Sequence, residues 1–293
     1  MRKTLRQRLT EGKVLLCDGA MGTMLQAAGL EAGEVPELWN LRCPERVLAV
    51  HLAYVAAGVD IVTTNTFGGT RIKMARAGVA DEVGEANRQG AQLAREAAAG
   101  NVFVAGSLGP TGELLEPFGT LSPAEAADAY AEQAAALVKG GVDLFLIETM
   151  SDLAEATAAV MGVRRVSNLP VFCTLSFDTG GRTMMGVSPK QAAEMLAELA
   201  VEAFGANCGL GPDEMEGVAR EFLIAKPGAA IICQPNAGVP SLEEGRSVYS
   251  ASPETMAEYA RRYAALGVRV VGSCCGSTPA HTEMIGWALE GYR

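Results

Sequence analysis

Residues 122–149 read SPAEAADAYAEQAAALVKGGVDLFLIET. Ser122 can cap a helix, Pro123 suits its first position, and Glu125 completes a capping box, so a helix is predicted over Ser122–Lys139. Gly140-Gly141 stops it. Asp143–Ile147 follows, apolar in every position after its first, as a parallel strand covered on both faces would be. The apolar run then gives way abruptly to Glu148-Thr149.

The same unit recurs on either side of this stretch. Strands are expected at Val14–Cys17, Asp60–Thr64, Val102–Gly106, Asp143–Ile147, Val171–Leu175, Ala203–Asn207, Ala230–Gln234 and Val268–Gly272. Helices are expected at Pro44–Ala57, at Ser188–Ala200 after a Ser-Pro-Lys-Gln start, and at Ser252–Ala265 after Ser-Pro-Glu-Thr. Ala57-Gly58 and Leu266-Gly267 repeat the glycine stop. Eight strand–helix alternations predict an α/β chain folded as a (β/α)8 TIM barrel, a single domain over residues 1–293. A doubly wound open sheet is the alternative, but no Gly-x-Gly-x-x-Gly opens a helix after the first strand, and no low-complexity or Pro/Ser-rich linker divides the chain.

The formal net charge of −10 and the lack of a dense Lys/Arg block argue against a nucleic-acid partner. The basic start Met-Arg-Lys-Thr-Leu-Arg-Gln-Arg has no apolar stretch behind it, and no uncharged apolar run reaches the ~18 residues of a membrane span. A cytoplasmic location with no membrane partner is expected. The seven cysteines are an odd number in a large chain without a secretory signal, which disfavours a disulfide framework.

In a (β/α)8 barrel the chemistry sits on the loops after the strands. Read in turn, these carry Asp18-Gly19-Ala20-Met21-Gly22-Thr23, Thr64-Asn65-Thr66-Phe67-Gly68, Ser107-Leu108-Gly109-Pro110-Thr111-Gly112, Glu148-Thr149, Ser176 with Asp178, Asn207-Cys208-Gly209, Gln234-Pro235-Asn236-Ala237-Gly238 and Gly272-Ser273-Cys274-Cys275-Gly276. Cys208, Cys274 and Cys275 therefore face one rim, and three thiolates suit a tetrahedral Zn2+ with its fourth position left for substrate. Adjacent side chains on a strand point to opposite faces, so Cys274 and Cys275 can share one ion only if the chain turns there; Gly272 and Gly276 permit that. Cys17, Cys173 and Cys233 fall inside strands and read as core, while Cys43 has no evident role.

A zinc ion held by three thiolates is a poor Lewis acid towards water, but it can bind a thiol in its thiolate form and leave that sulfur nucleophilic. Alkyl transfer to sulfur fits this chemistry. Hydrolysis with Glu148 or Asp178 as base stays open. Only two histidines occur, His51 in mid-helix and His281 in the first turn of the last helix; both read as structural, which disfavours a His-based zinc site or a Ser/His/Asp triad.

Together these motifs resemble the homocysteine S-methyltransferase family, above all the N-terminal homocysteine-binding domain of cobalamin-dependent methionine synthases, in order along essentially the whole chain. Asp-Gly-Ala-Met-Gly-Thr favours that branch over betaine- or S-methylmethionine-dependent relatives. The resemblance implies zinc on Cys208, Cys274 and Cys275, the ammonium of L-homocysteine on Glu148, and its carboxylate on backbone N–H groups around Gly19, Ala20 and Met21. Asp18 shapes that loop or touches substrate, Ser107 belongs to the substrate-binding set, and Asn236 resembles a residue that fills the fourth zinc position when substrate is absent. The corrinoid signature Asp-x-His-x-x-Gly is missing, since Ala49 precedes His51 and Pro279 precedes His281 at the required position. Methylcobalamin carried by another domain or protein is the expected methyl donor. S-methylmethionine, betaine or another small donor is the alternative, and a non-catalytic zinc- or thiol-binding subunit the third reading.

Overall fold

The computed structural model describes residues 3–209, 211–243 and 246–293. The expected strands appear as β1 (Leu15–Leu16), β2 (Ile61–Thr63), β3 (Phe103–Leu108), β4 (Leu144–Met150), β5 (Val171–Leu175), β6 (Ala203–Cys208) and β7 (Ile231–Pro235), followed, after a hairpin of β8 (Ser241–Glu243) and β9 (Arg246–Val248), by β10 (Val270–Val271). All strands but the hairpin pair in parallel in the order β1-β10-β7-β6-β5-β4-β3-β2. A Cys17–Ile61 bridge joins the two ends of that order and completes the barrel. The hairpin was not expected: it lies in the loop after β7, where short polar strands interrupted by turn residues carry little periodic signal.

Side chains alternate across the barrel wall. Leu15, Cys17, Ile61, Phe103, Ala105, Leu144, Leu146, Phe172, Ala203, Ile232 and Val270 fill the interior, and Leu5 of an N-terminal helix (Leu5–Thr10) joins them. Leu16, Val62, Val104, Phe145, Cys173 and Cys233 belong to the outer core under the helices. Cys17, Cys173 and Cys233 are thus core residues, and burial pushes the Cys173 thiol up to about 12. The expected helices form at Pro44–Ala56, Pro123–Gly140, Pro189–Glu198 and Pro253–Leu266, with the Ser122–Glu125 and Ser188–Gln191 capping boxes in place.

A shorter pattern repeats at the bottom of the barrel. Asp60, Asp143 and Glu202 precede β2, β4 and β6, and each carboxylate accepts the N–H of a residue at the start of the preceding strand: Leu16 at 2.9 Å, Val104 at 2.9 Å and Val171 at 2.7 Å. Each is also paired with arginine: Arg8 and Arg293 on Asp60, Arg95 on Asp143, Arg6 and Arg164 on Glu202. The residue two before each acid turns the chain in the left-handed region: Gly58 (φ 84°), Gly141 (φ 92°) and Ala200 (φ 52°). No helix of the described residues is long and apolar enough to cross a membrane.

Two consequences are measurable. Ala200 occupies a conformation that costs an L-residue about 1–2 kcal/mol, so Ala200→Gly is expected to stabilise the fold by about 1 kcal/mol in denaturant titration, and a loss of stability would contradict this. His51 is fully buried on helix Pro44–Ala56, neither ring nitrogen has a partner among the described residues, and burial pulls its pKa down to about 4 from 6.5. The unfolded chain takes up this proton first, so the stability His51 contributes is present above pH 6.5 and is lost as pH falls towards about 4, by up to about 3 kcal/mol. His51→Leu should flatten that decline; an unchanged slope would contradict the assignment.

Candidate active site and metal centre

Three departures from regular strand geometry assemble the site at the C-terminal mouth of the barrel. On β4 the pairing with β5 shifts between Ile147 and Met150, and Thr149 sits at φ 61°. The extra residue leaves the Thr149 N–H without a ladder partner, and Asn207 Oδ1 accepts it at 2.8 Å. The same oxygen accepts Thr174 Oγ1 at 2.7 Å, while Asn207 Nδ2 donates to Thr149 Oγ1 at 2.8 Å. Asn207 therefore locks the bulge that carries Glu148. Next to it, Cys208 leaves β6 at φ 58°.

The third departure is the turn after β10. The chain has left the ladder by Cys274, whose N–H donates to Pro235 O at 2.7 Å, while Cys275 O accepts Ala237 N at 2.9 Å. Gly276 has φ 80°, and a Cβ there would lie 2.1 Å from the Tyr249 ring. Here lies the turn that two adjacent cysteines need to face one point. Gly272 serves differently: a Cβ on it would come within 2.8 Å of Cys17 and 3.2 Å of Gln234 Cγ.

The Sγ atoms of Cys208, Cys274 and Cys275 all lie within 4.8 Å of one another, with 4.0 Å between Cys274 and Cys275. Three sulfurs each ~2.3 Å from a tetrahedral zinc stand about 3.8 Å apart, so the trio fits such an ion after small adjustment. Hydrogen bonds from Cys208 and Cys274 hold Cys275 well below the usual thiol range, helped by one from the Tyr249 phenol. Although a bond from Cys274 favours its thiolate, Cys208 is pushed up by its bond to Cys275 and by burial. Cys274 is pushed up by its bonds to both partners.

A cavity of about 340 Å³ opens beside the sulfurs. Its wall includes Asp18, Gly19, Ala20, Met21, Ser107 and Glu148, so the candidates drawn from the first, third and fourth strands meet the three cysteines. Ser107 Oγ donates to Glu148 Oε1 at 2.5 Å, and Asn207 Nδ2 to Glu148 Oε2 at 3.4 Å. Burial pushes the Glu148 carboxyl up to about 7, against the Ser107 bond, and the charge of Cys275 pushes the same way. Asp18 accepts Thr63 N at 2.7 Å and Thr63 Oγ1 at 2.9 Å, which fastens the first loop to β2 where the barrel closes. Burial drives its carboxyl to about 7. The Ala20 N–H donates to Ser277 Oγ at 3.1 Å.

Asn236 stands apart from the cavity wall among the described residues. Its Nδ2 donates to Gly209 O at 2.7 Å, and its buried Oδ1 has no partner. His281 is structural: Nδ1 accepts Thr278 N at 3.1 Å and Nε2 faces Ala251 O at 3.1 Å. Cys43 packs half-buried against the outer core. Residues to which the sequence assigned no role also reach the cavity: Asn207, Gln234, Ser273, Thr63 and Glu37. Glu37 accepts Gly68 N at 2.5 Å, and burial raises its pKa. Asn207, Gln234 and Ser273 could have been found by their place at strand ends; Glu37, on a 3-10 turn remote from any strand, gave no such signal.

A profile of the homocysteine S-methyltransferase family matches residues 15–289. The chain is 34% identical over 299 residues to a methionine synthase of Mycobacterium tuberculosis and 33% identical over 305 residues to one of Mycobacterium leprae. The alignments cover 96% and 98% of this chain but 25% of each relative, so the chain spans a quarter of their length. The metallated form of the homocysteine methyltransferase MmuM from Escherichia coli shares the fold, with a TM-score of 0.80 at 24% identity over 99% of both chains.

The Glu148 carboxyl makes a pH prediction for protein stripped of metal and substrate. Its folded pKa lies above the unfolded value, so its contribution is present below about pH 4.5 and is lost as pH rises through about 7. Glu148→Gln should therefore be more stable than the parent at pH 8, by up to about 3 kcal/mol, and gain nothing at pH 4. Equal gains at both pH values in chemical denaturation would exclude a raised Glu148.

Proposed function

From the premise that this chain belongs to the homocysteine S-methyltransferase family, we propose that it methylates the thiol of L-homocysteine to give methionine, with zinc on Cys208, Cys274 and Cys275 and with a methylcorrinoid borne by another domain or protein as donor. The observation that carries this is the convergence of three sulfurs on one point beside Glu148 in a single cavity. Zinc bound there supplies a fourth position at which a thiol is held as its thiolate.

The chain's own residues do the rest. Glu148, held by Ser107 and Asn207, faces the substrate ammonium, and that cation keeps the carboxylate charged where burial alone would protonate it. Asn207 holds the bulge, and its Nδ2 faces both Glu148 Oε2 and Cys274 Sγ, so one side chain touches both the acid and a sulfur. The backbone of Gly19 and Met21 borders the cavity where a carboxylate would lie, while Asp18 holds their loop through Thr63. In the transfer, the substrate sulfur donates an electron pair to the methyl carbon and the donor leaves with the pair of the broken bond. The thioether so formed has no negative charge and releases readily.

One observation favours the corrinoid donor. The methionine synthases matched are about four times the length of this chain, which leaves room for a donor module elsewhere in such a protein.

The test combines zinc analysis with donor choice. The protein should hold one zinc per chain and form methionine from homocysteine and methylcobalamin, and Cys208→Ser should lose both zinc and turnover. Product formed only from S-methylmethionine or betaine would overturn the donor assignment, and turnover indifferent to zinc loss would overturn the zinc chemistry. Homocysteine binding should also release a proton, seen as a buffer-dependent enthalpy.

A further inference from the structure

Two polar groups on the cavity wall are left without a role. The Gln234 Oε1 and Ser273 Oγ atoms are buried and have no hydrogen-bond partner among the described residues. Both residues line the cavity, at the ends of the adjacent strands β7 and β10. Native proteins rarely leave such groups unpaired, and a pair of them on residues that line one cavity points to a ligand that draws both side chains onto itself.

The charge of the cavity selects the ligand group. Asp18, Glu37 and Glu148 line it, and among the described residues no Lys, Arg or His does. An anionic group entering here has to be bound by neutral donors. Ser273 offers a hydroxyl and Gln234 a carboxamide, whose nitrogen and oxygen exchange places on rotation. Ser273 Oγ lies 2.9 Å from where a Gly19 Cβ would stand, so it sits against the first loop, where only a glycine leaves room for it. Gln234 lies across Gly272, whose missing Cβ makes space for its stem.

Position selects the end of the substrate. Around the ring, β10 stands four strands from β4, on the opposite wall from Glu148. A small amino acid with its ammonium at Glu148 therefore turns its carboxylate towards β10 and the first loop. In that loop the Ala20 N–H already donates to Ser277, which leaves the backbone short of one donor. We infer that Gln234 and Ser273 are specificity-determining residues that donate hydrogen bonds to the substrate α-carboxylate and so make the site select a thiol that is also an α-amino acid. The inference rests on the homocysteine reading above.

The test compares L-homocysteine with 3-aminopropane-1-thiol, which keeps the thiol and ammonium but lacks the carboxylate. Binding of each to the zinc-loaded protein is measured by calorimetry for the parent, Gln234→Met and Ser273→Ala. Each variant should weaken homocysteine by about tenfold or more, as expected for a lost bond to a charged group, and leave the aminothiol within about twofold. Gln234→Glu should weaken homocysteine further and improve the aminothiol. Equal weakening of both ligands, or no weakening of either, would overturn the assignment. A parent protein that binds the aminothiol but gains nothing from the carboxylate would overturn it too. Binding of neither ligand by the parent would instead defeat the homocysteine reading itself.

Discussion

The site depends on one constraint: three sulfurs from two strands must converge on one point, and regular strands cannot deliver them. Closing the parallel barrel brings the ends of β6 and β10 to the same rim. The last step is made by local departures, the left-handed Cys208 and the turn at Cys274–Gly276. Each is over-determined by its surroundings: Asn207 locks the neighbouring bulge, and the bonds Cys274 N to Pro235 O and Ala237 N to Cys275 O pin the β7 and β10 loops together. Unusual backbone of this kind persists only where its neighbours enforce it, and it gathers where chemistry is done.

The electrostatics of the cavity follow from the same geometry. Three carboxylates and three thiols are drawn together in a space with no lining cation among the described residues. Burial raises Asp18 and Glu148 to about 7, so without a cation nearby each carboxylate is part-protonated at neutral pH. In the proposed reaction a divalent cation at the sulfurs and an ammonium at Glu148 would relieve the excess of acceptors. On this proposal the substrate completes the charge balance of its own site, and the unpaired polar groups of Gln234 and Ser273 are where its other end would bind.

Much of this was legible in the sequence because period and punctuation agreed. The stretch Ser122–Thr149 carries cap, stop, apolar run and polar end in order, and the same order elsewhere located all eight barrel strands, with boundaries off by a few residues. The three cysteines were legible because they stand at or just beyond strand ends. The hairpin of β8 and β9 was not, since its residues show no alternation; nor was Glu37, whose burial is tertiary. Asn207, Gln234 and Ser273 were visible as residues but not as roles. Whether a strand-end polar group holds the backbone, as Asn207 does, or lacks a partner, as Gln234 does, depends on a bulge and a ring closure that no local pattern encodes.

The central claim is most directly tested by zinc K-edge X-ray absorption on the zinc-loaded protein before and after homocysteine is added. Convergence of Cys208, Cys274 and Cys275 with a substrate position requires three sulfur neighbours rising to four. A count of two or fewer, or one that does not change when homocysteine binds, would contradict it.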